Sequence, residues 1–428
     1  MQSRSFDAIG ERMFMAGLEN GLRLRILPKK GFHTAYAVFA ARCGGAHRRF
    51  TLDGRTEETP AGTAHFLEHK LFDMPDGEDV LARLSANGAE PNAFTSAGAT
   101  AYYFQCAERF EENLELLLRL VSTPYFTEET VEKEKPIIAQ EIRMGDDDPD
   151  TTLYYRLMRM LYAHHPIREP VAGTEESIAQ ISADTLYRCH RAFYAPGNMV
   201  LCVAGDVDPG AVEHAAFRVL PTERRSVPEA DFGERERLEP LERRFSAAMP
   251  VSSRQFLLGA KLRPDEPGPE ALRRRLTASL ALRTLLGRSS PFYTGLYAKG
   301  LLNRDFEYEA SFSAGTATLL LGGESEDPDA VQAALAAELE RAASQGLDAG
   351  RFERAKRAGF GSRLRALEDF ETVCLSTAFG LFDGYCALEA PELLEQVTQE
   401  DCERFLRDEL PAERLALAVY EPKKDDAP

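Results

Sequence analysis

The sequence has no apolar run near the roughly 18–20 residues that a membrane-spanning helix needs, which argues against a transmembrane protein. Residues 1–17 have no apolar core behind a basic start, so they do not read as a secretory leader. The seven cysteines are odd in number and form no C-x-x-C pair. That argues against a disulfide framework and for a reducing, cytoplasmic setting. No cluster of Lys and Arg is present, and the formal net charge is −18. Binding to nucleic acid or to an anionic membrane surface leans on basic surface, so neither is expected. No Gly-rich phosphate loop of recognisable form occurs. Histidine is scarce, with eight residues in 428, so its placement is informative.

What is present reads as globular. Hydrophobic residues make up 44% and charged residues 28%, usual values for a packed domain. A chain of 428 residues exceeds one ordinary core, so two or three domains are expected. Asn20-Gly21 is a hairpin turn signal, and Leu22-Arg23-Leu24-Arg25-Ile26-Leu27 alternates as a half-buried strand does. A strand is expected over 34–42, a helix over about 61–72, and paired strands over 92–96 and 100–106. Helices are expected over 108–121, 128–144, 150–162 and 182–193, with a strand over 199–204.

Residues 221–242 are charged, contain Pro and lack periodicity, as a linker does. They divide the chain into domains 1–220 and 243–428. Beyond them the pattern starts again. Ile178-Ala179-Gln180-Ile181-Ser182 compares with Leu394-Glu395-Gln396-Val397-Thr398, and Val131-Glu132-Lys133-Glu134-Lys135 with Phe352-Glu353-Arg354-Ala355-Lys356. Strands early and late in each half, with helices between, give an α+β class: two homologous domains, each an antiparallel sheet with helices on one side.

One motif carries chemistry. His65-Phe66-Leu67-Glu68-His69 places two imidazoles and a carboxylate on one helix face. Neutral imidazoles one turn apart can hold one Zn²⁺, and the carboxylate between them can act as a base. The order H-x-x-E-H is a zinc-peptidase signature. A catalytic zinc needs a third protein ligand and an open position. In the acidic helix over 128–144, Glu134 and Glu141 are seven residues apart and share a face. Spacing alone does not select them among the many carboxylates there.

Gly62-Thr63-Ala64-His65-Phe66-Leu67-Glu68-His69 closely resembles the zinc helix of the pitrilysin/insulysin (insulinase-like) metallopeptidases. Asn92-Ala93-Phe94-Thr95-Ser96, followed by Tyr102-Tyr103-Phe104, resembles that family's active-site edge strand, and Glu132-Lys133-Glu134 with Glu141 its downstream acidic helix. The resemblance is dense in the first half, and closest to the zinc-bearing member of the paired insulinase-like proteins of Gram-positive bacteria. It implies one Zn²⁺ per chain held by His65, His69 and Glu141. Glu68 is then the general base, and Glu134 a supporting acid that orients a ligand or the attacking water. It also implies that Asn92, Ala93, Phe94 and Thr95 bind a peptide substrate as an added strand. Two α+β domains then form one arm of a clamshell around an enclosed chamber.

Three departures matter. Pro136 lies between Glu134 and Glu141, where an interior Pro is expected to kink a helix. Ala355 and Ser362 stand where Glu134 and Glu141 would repeat, and no His follows His214, so the second half is a metal-free copy. Active relatives commonly carry an Arg and, seven residues later, a Tyr in the later domain; here Tyr297 and Arg304 stand in the reverse order. The expectation is therefore a zinc endopeptidase for short unfolded peptides that works as a heterodimer, with a homologous zinc-free chain supplying the missing pair. A homodimer is the second choice. The alternatives are a dedicated processing or modification factor and a non-peptidase structural partner subunit. Tyr293, Tyr297 and Phe306 are expected in the core or in the chamber wall.

Overall fold

The computed structural model describes residues 1–423. The chain opens with β1 (Gln2–Phe6), β2 (Glu11–Gly17), β3 (Arg23–Pro28) and β4 (Ala35–Ala41). A short hairpin, β5 (Arg49–Leu52) and β6 (Arg55–Glu58), precedes the motif helix Thr63–Lys70. Then come β7 (Ala89–Thr95), β8 (Thr100–Cys106), the acidic helix Glu128–Asp147 and β9 (Met199–Gly205). After β10 (Glu229–Asp231) the second half supplies β11 (Arg244–Met249), β12 (Gln255–Lys261), β13 (Glu307–Ser313), β14 (Thr316–Glu324) and β15 (Ala416–Pro422).

The first large sheet has the order β1-β2-β3-β9-β4-β8-β7, and the second has β11-β15-β12-β14-β13. The last five strands of the first sheet repeat as the five of the second, including the parallel pairs β3 with β9 and β11 with β15. The α+β class and the internal repeat expected from the sequence are therefore both present. The repeat reaches single atoms. Ser182 and Thr398, aligned above, each cap a helix through a reciprocal capping box. Lys135 donates to the carbonyl of Ala179 at 3.1 Å, and its counterpart Lys356 donates to that of Glu395 at 2.7 Å.

The compact units are interleaved along the chain rather than split at 221–242. Among the described residues, one comprises 1–142, 169–232 and 364–389, and the other 143–168, 233–363 and 390–423. The physical reason is an exchange of helices. Phe370–Phe382, from the second half, packs on β4 and β9 of the first sheet. Pro149–Leu161, from the first half, packs on β12 and β15 of the second. Leu24 and Ile26 of β3 are fully buried, as its alternation predicts. Arg23, on the opposite face, does not simply meet water: it donates to the Leu381 carbonyl at 3.0 Å at the end of the exchanged helix.

In the first unit β7 has a single neighbour, β8, and so forms the sheet edge. In the second unit Tyr293 and Phe306 are buried, as expected, whereas Tyr297 is 46% exposed and stacks on Tyr293. Among the described residues, no helix is long and apolar enough to cross a membrane.

Candidate metal centre

The site belongs to the first unit. Its motif helix starts at Gly62, whose φ of +88° is left-handed and costs glycine little. A Cβ there would meet the Ala172 carbonyl at 2.5 Å, so a side chain would push the helix off its seat. Phe66 and Leu67 are fully buried and anchor the helix in the core. The helical period then turns His65 and His69 together towards the acidic helix. Their ring centroids lie 4.6 Å apart.

Glu141 reaches both rings. Its Oε2 lies 3.7 Å from His65 Nε2 and 3.5 Å from His69 Nε2. The ligand atoms of the three residues all fall within 4.8 Å of one another. Ligands on zinc bonds of about 2.0–2.2 Å at a tetrahedral angle stand about 3.3–3.6 Å apart, so this donor set fits a zinc ion and leaves one position open. The acidic helix Glu128–Asp147 carries Pro136 inside it, so the proline does not end the helix. Pro136 is exposed, so the carbonyl it leaves without a helical partner can turn to water. Glu134 and Glu141 accordingly both reach His69, at opposite ring nitrogens, with Glu134 Oε1 at 3.1 Å from Nδ1.

The electrostatics suit a cation. Burial first, and then the neighbouring His69, push the His65 pKa down to about 4, so its lone pair is free for a metal at neutral pH. Burial also pulls His69 down, but the Glu134 hydrogen bond and the Glu141 and Glu68 carboxylates outweigh it and raise it overall. Glu68 is buried, and that burial raises its carboxyl above the usual range. Thr95 donates to Glu68 Oε2 at 2.6 Å.

Each residue singled out in the sequence can now be placed. His65, His69 and Glu141 converge, Glu68 lies beside them, and Glu134 backs His69. Asn92, Ala93, Phe94 and Thr95 lie on the edge strand β7. Thr95 does more than the sequence suggested, because its hydroxyl is spent on Glu68. Sequence reasoning missed that link and missed Lys70, which is 3% exposed at the end of the motif helix. A lysine inside the apolar spacing of a helix was the available signal. In the second unit, Ala355 is buried and Ser362 bonds back to the Ala358 carbonyl, so the corresponding position has no acid to offer.

A helical His pair, an acid from a second helix and a duplicated α+β frame together define a metallopeptidase class. The comparisons with known proteins name it: the chain belongs to the insulinase-like peptidase family M16. Residues 53–175 match Insulinase (Peptidase family M16), and residues 180–358 match the Peptidase M16 inactive domain. The Bacillus subtilis protein named uncharacterized zinc protease YmfH is 37% identical, over 98% of each chain. The crystal structure of an M16-like protein from Alicyclobacillus acidocaldarius superposes with a TM-score of 0.93 at 32% identity, over 96% of this chain and 99% of that one. A protease from Helicobacter pylori, at 19% identity and a TM-score of 0.81 over 96% of this chain and 100% of that one, shares the fold.

Proposed function

We propose that the protein is a zinc-dependent endopeptidase that cleaves short unfolded peptides as the catalytic subunit of a heterodimer. The observation that carries this reading is the convergence of His65, His69 and Glu141 around one point, with the buried Glu68 beside them. When bound, zinc supplies a Lewis acid that activates water and polarises the scissile carbonyl. His65, His69 and Glu141 would hold it. Glu68 accepts the proton of the attacking water and returns it to the leaving amine. Its raised pKa helps with the return, since the protonated carboxyl is the donor there. Thr95 fixes the Glu68 carboxylate, and Glu134 keeps the proton of His69 on Nδ1, so that Nε2 faces Glu141. The unpaired edge of β7 accepts an extended peptide through backbone hydrogen bonds, with little demand on sequence.

The heterodimer rests on the second unit. Tyr297 and Arg304 are in the reverse of the order common in active relatives, so a homologous zinc-free chain would supply Arg and Tyr. The test is digestion of a peptide library by the pure chain, by the chain with homologous candidate partners, and by Glu68→Gln. Weak cleavage alone, strong cleavage with a partner and none in Glu68→Gln are expected. Robust cleavage by the single chain that no partner raises would refute the heterodimer, and cleavage by Glu68→Gln would refute the mechanism.

A further inference from the structure

Lys70 directly follows a candidate metal ligand, yet its side chain is only 4% exposed. A buried ammonium is costly unless paired and hydrogen-bonded. Two carboxylates meet it. Asp73, three residues on, pairs with its Nζ at the surface end of the site. Glu134 Oε2 lies 3.5 Å from the same Nζ. Asp73 alone could balance the charge, so the second contact calls for a separate reason.

The geometry of Glu134 supplies one. Its Oε1 faces His69 Nδ1 and its Oε2 faces Lys70 Nζ. A glutamate held at one oxygen can still pivot about its terminal torsion. Held at both, its plane is fixed, and Oε1 stays aimed at the ring. A ring held through Nδ1 presents Nε2 to the metal position, where Glu141 Oε2 already stands 3.5 Å away.

We propose that Lys70 is a positioning residue for the metal centre, acting through Glu134 to fix the orientation of His69. This rests on the zinc reading above and extends it one shell outwards. Partners behind a metal-bound imidazole typically change metal affinity by about 10–100-fold. Lys70 is one bond further from the metal, so an effect at the lower end is expected.

The experiment is a zinc dissociation constant, measured by chelator competition on the full chain, with folding checked by circular dichroism. The proteins are wild type, Lys70→Met, Glu134→Gln, the double variant, and Asp73→Asn as a control. Lys70→Met should weaken zinc binding about tenfold. In the Glu134→Gln background the same change should cost less than about twofold, because the carboxylate it positions is gone. Asp73→Asn should stay within about threefold of wild type, because Asp73 touches Lys70 but not Glu134. A merely structural lysine would not show this dependence on Glu134. If Lys70→Met does not fold, Lys70→Gln keeps a polar end and carries the same expectations. Wild-type affinity in the Lys70 variant, or an equal loss with and without Glu134, would overturn the proposal and leave the zinc reading standing. No zinc binding by the wild-type chain would sink both.

Discussion

The two units of this chain share a sheet order, a pair of capped helices and even a lysine-to-carbonyl hydrogen bond, yet among the described residues only the first gathers a candidate metal-ligand set. At matched positions the first has Glu134 and Glu141, the second Ala355 and Ser362. The frame is thus stable without the charges. The first unit accepts a buried Lys70, a buried Glu68 and two crowded imidazoles, groups that favour water on their own. The second unit also buries a lysine and a glutamate, Lys261 and Glu409, but has no two histidines one helical turn apart.

The sharpest break in this comparison is Glu68→Gln. It should lower peptide cleavage by about 10²–10⁴-fold with zinc content unchanged, because the proposed role of Glu68 is to move protons and not to bind the metal. Peptide kinetics beside elemental analysis check it, and equal loss of both would make Glu68 a ligand instead. Next comes the edge strand. Ala93→Pro should lower cleavage by about tenfold while zinc stays bound, since the Ala93 N–H faces the open edge of β7 and Pro cannot donate in an added strand. Unchanged cleavage in a folded variant would count against docking on β7.

Much of this contrast is legible in the residues. The motif helix, the paired strands β7 and β8 and the acidic helix follow from spacing and turn chemistry. The selection of Glu141 among its acidic neighbours came from resemblance, because a solvated glutamate and a ligand have the same local pattern. The helix exchange was not read. Phe370–Phe382 has the apolar content of any core helix, and nothing local says which sheet it covers. A hint lay in β4 and β9, whose residues are all buried, since a strand apolar on both faces needs cover on both. The helix accommodates Pro136 because the proline falls on its exposed side. Thr95 and Lys70 were missed because their partners are distant in sequence: Glu68 lies 27 residues from Thr95 and Glu134 lies 64 from Lys70.

A smaller effect, common to both units, depends on pH. His190 in the first and His165 in the second are both buried, and desolvation pushes each pKa down to about 4. The unfolded chain takes up those protons near pH 6.5, so each histidine makes stability fall as pH drops from about 6.5 to 4. The loss is about 3 kcal/mol per histidine at pH 4. Denaturant melts at pH 7 and pH 4.5 should show a shallower slope in His190→Asn and in His165→Asn than in wild type. An unchanged slope would mean that the histidine is already protonated in the fold. Smallest of all, Ala355→Glu with Ser362→Glu should add no zinc to the second unit. Two carboxylates cannot replace the missing imidazole pair, and a second equivalent of metal would show that the frame alone makes the site.

The account stands most directly on zinc content by elemental analysis of the purified full chain and of His69→Ala and Glu141→Ala. It predicts about one zinc per wild-type chain and little or none in either variant, because three protein ligands are the minimum for such a centre. Zinc retained at the wild-type level in folded His69→Ala would contradict it.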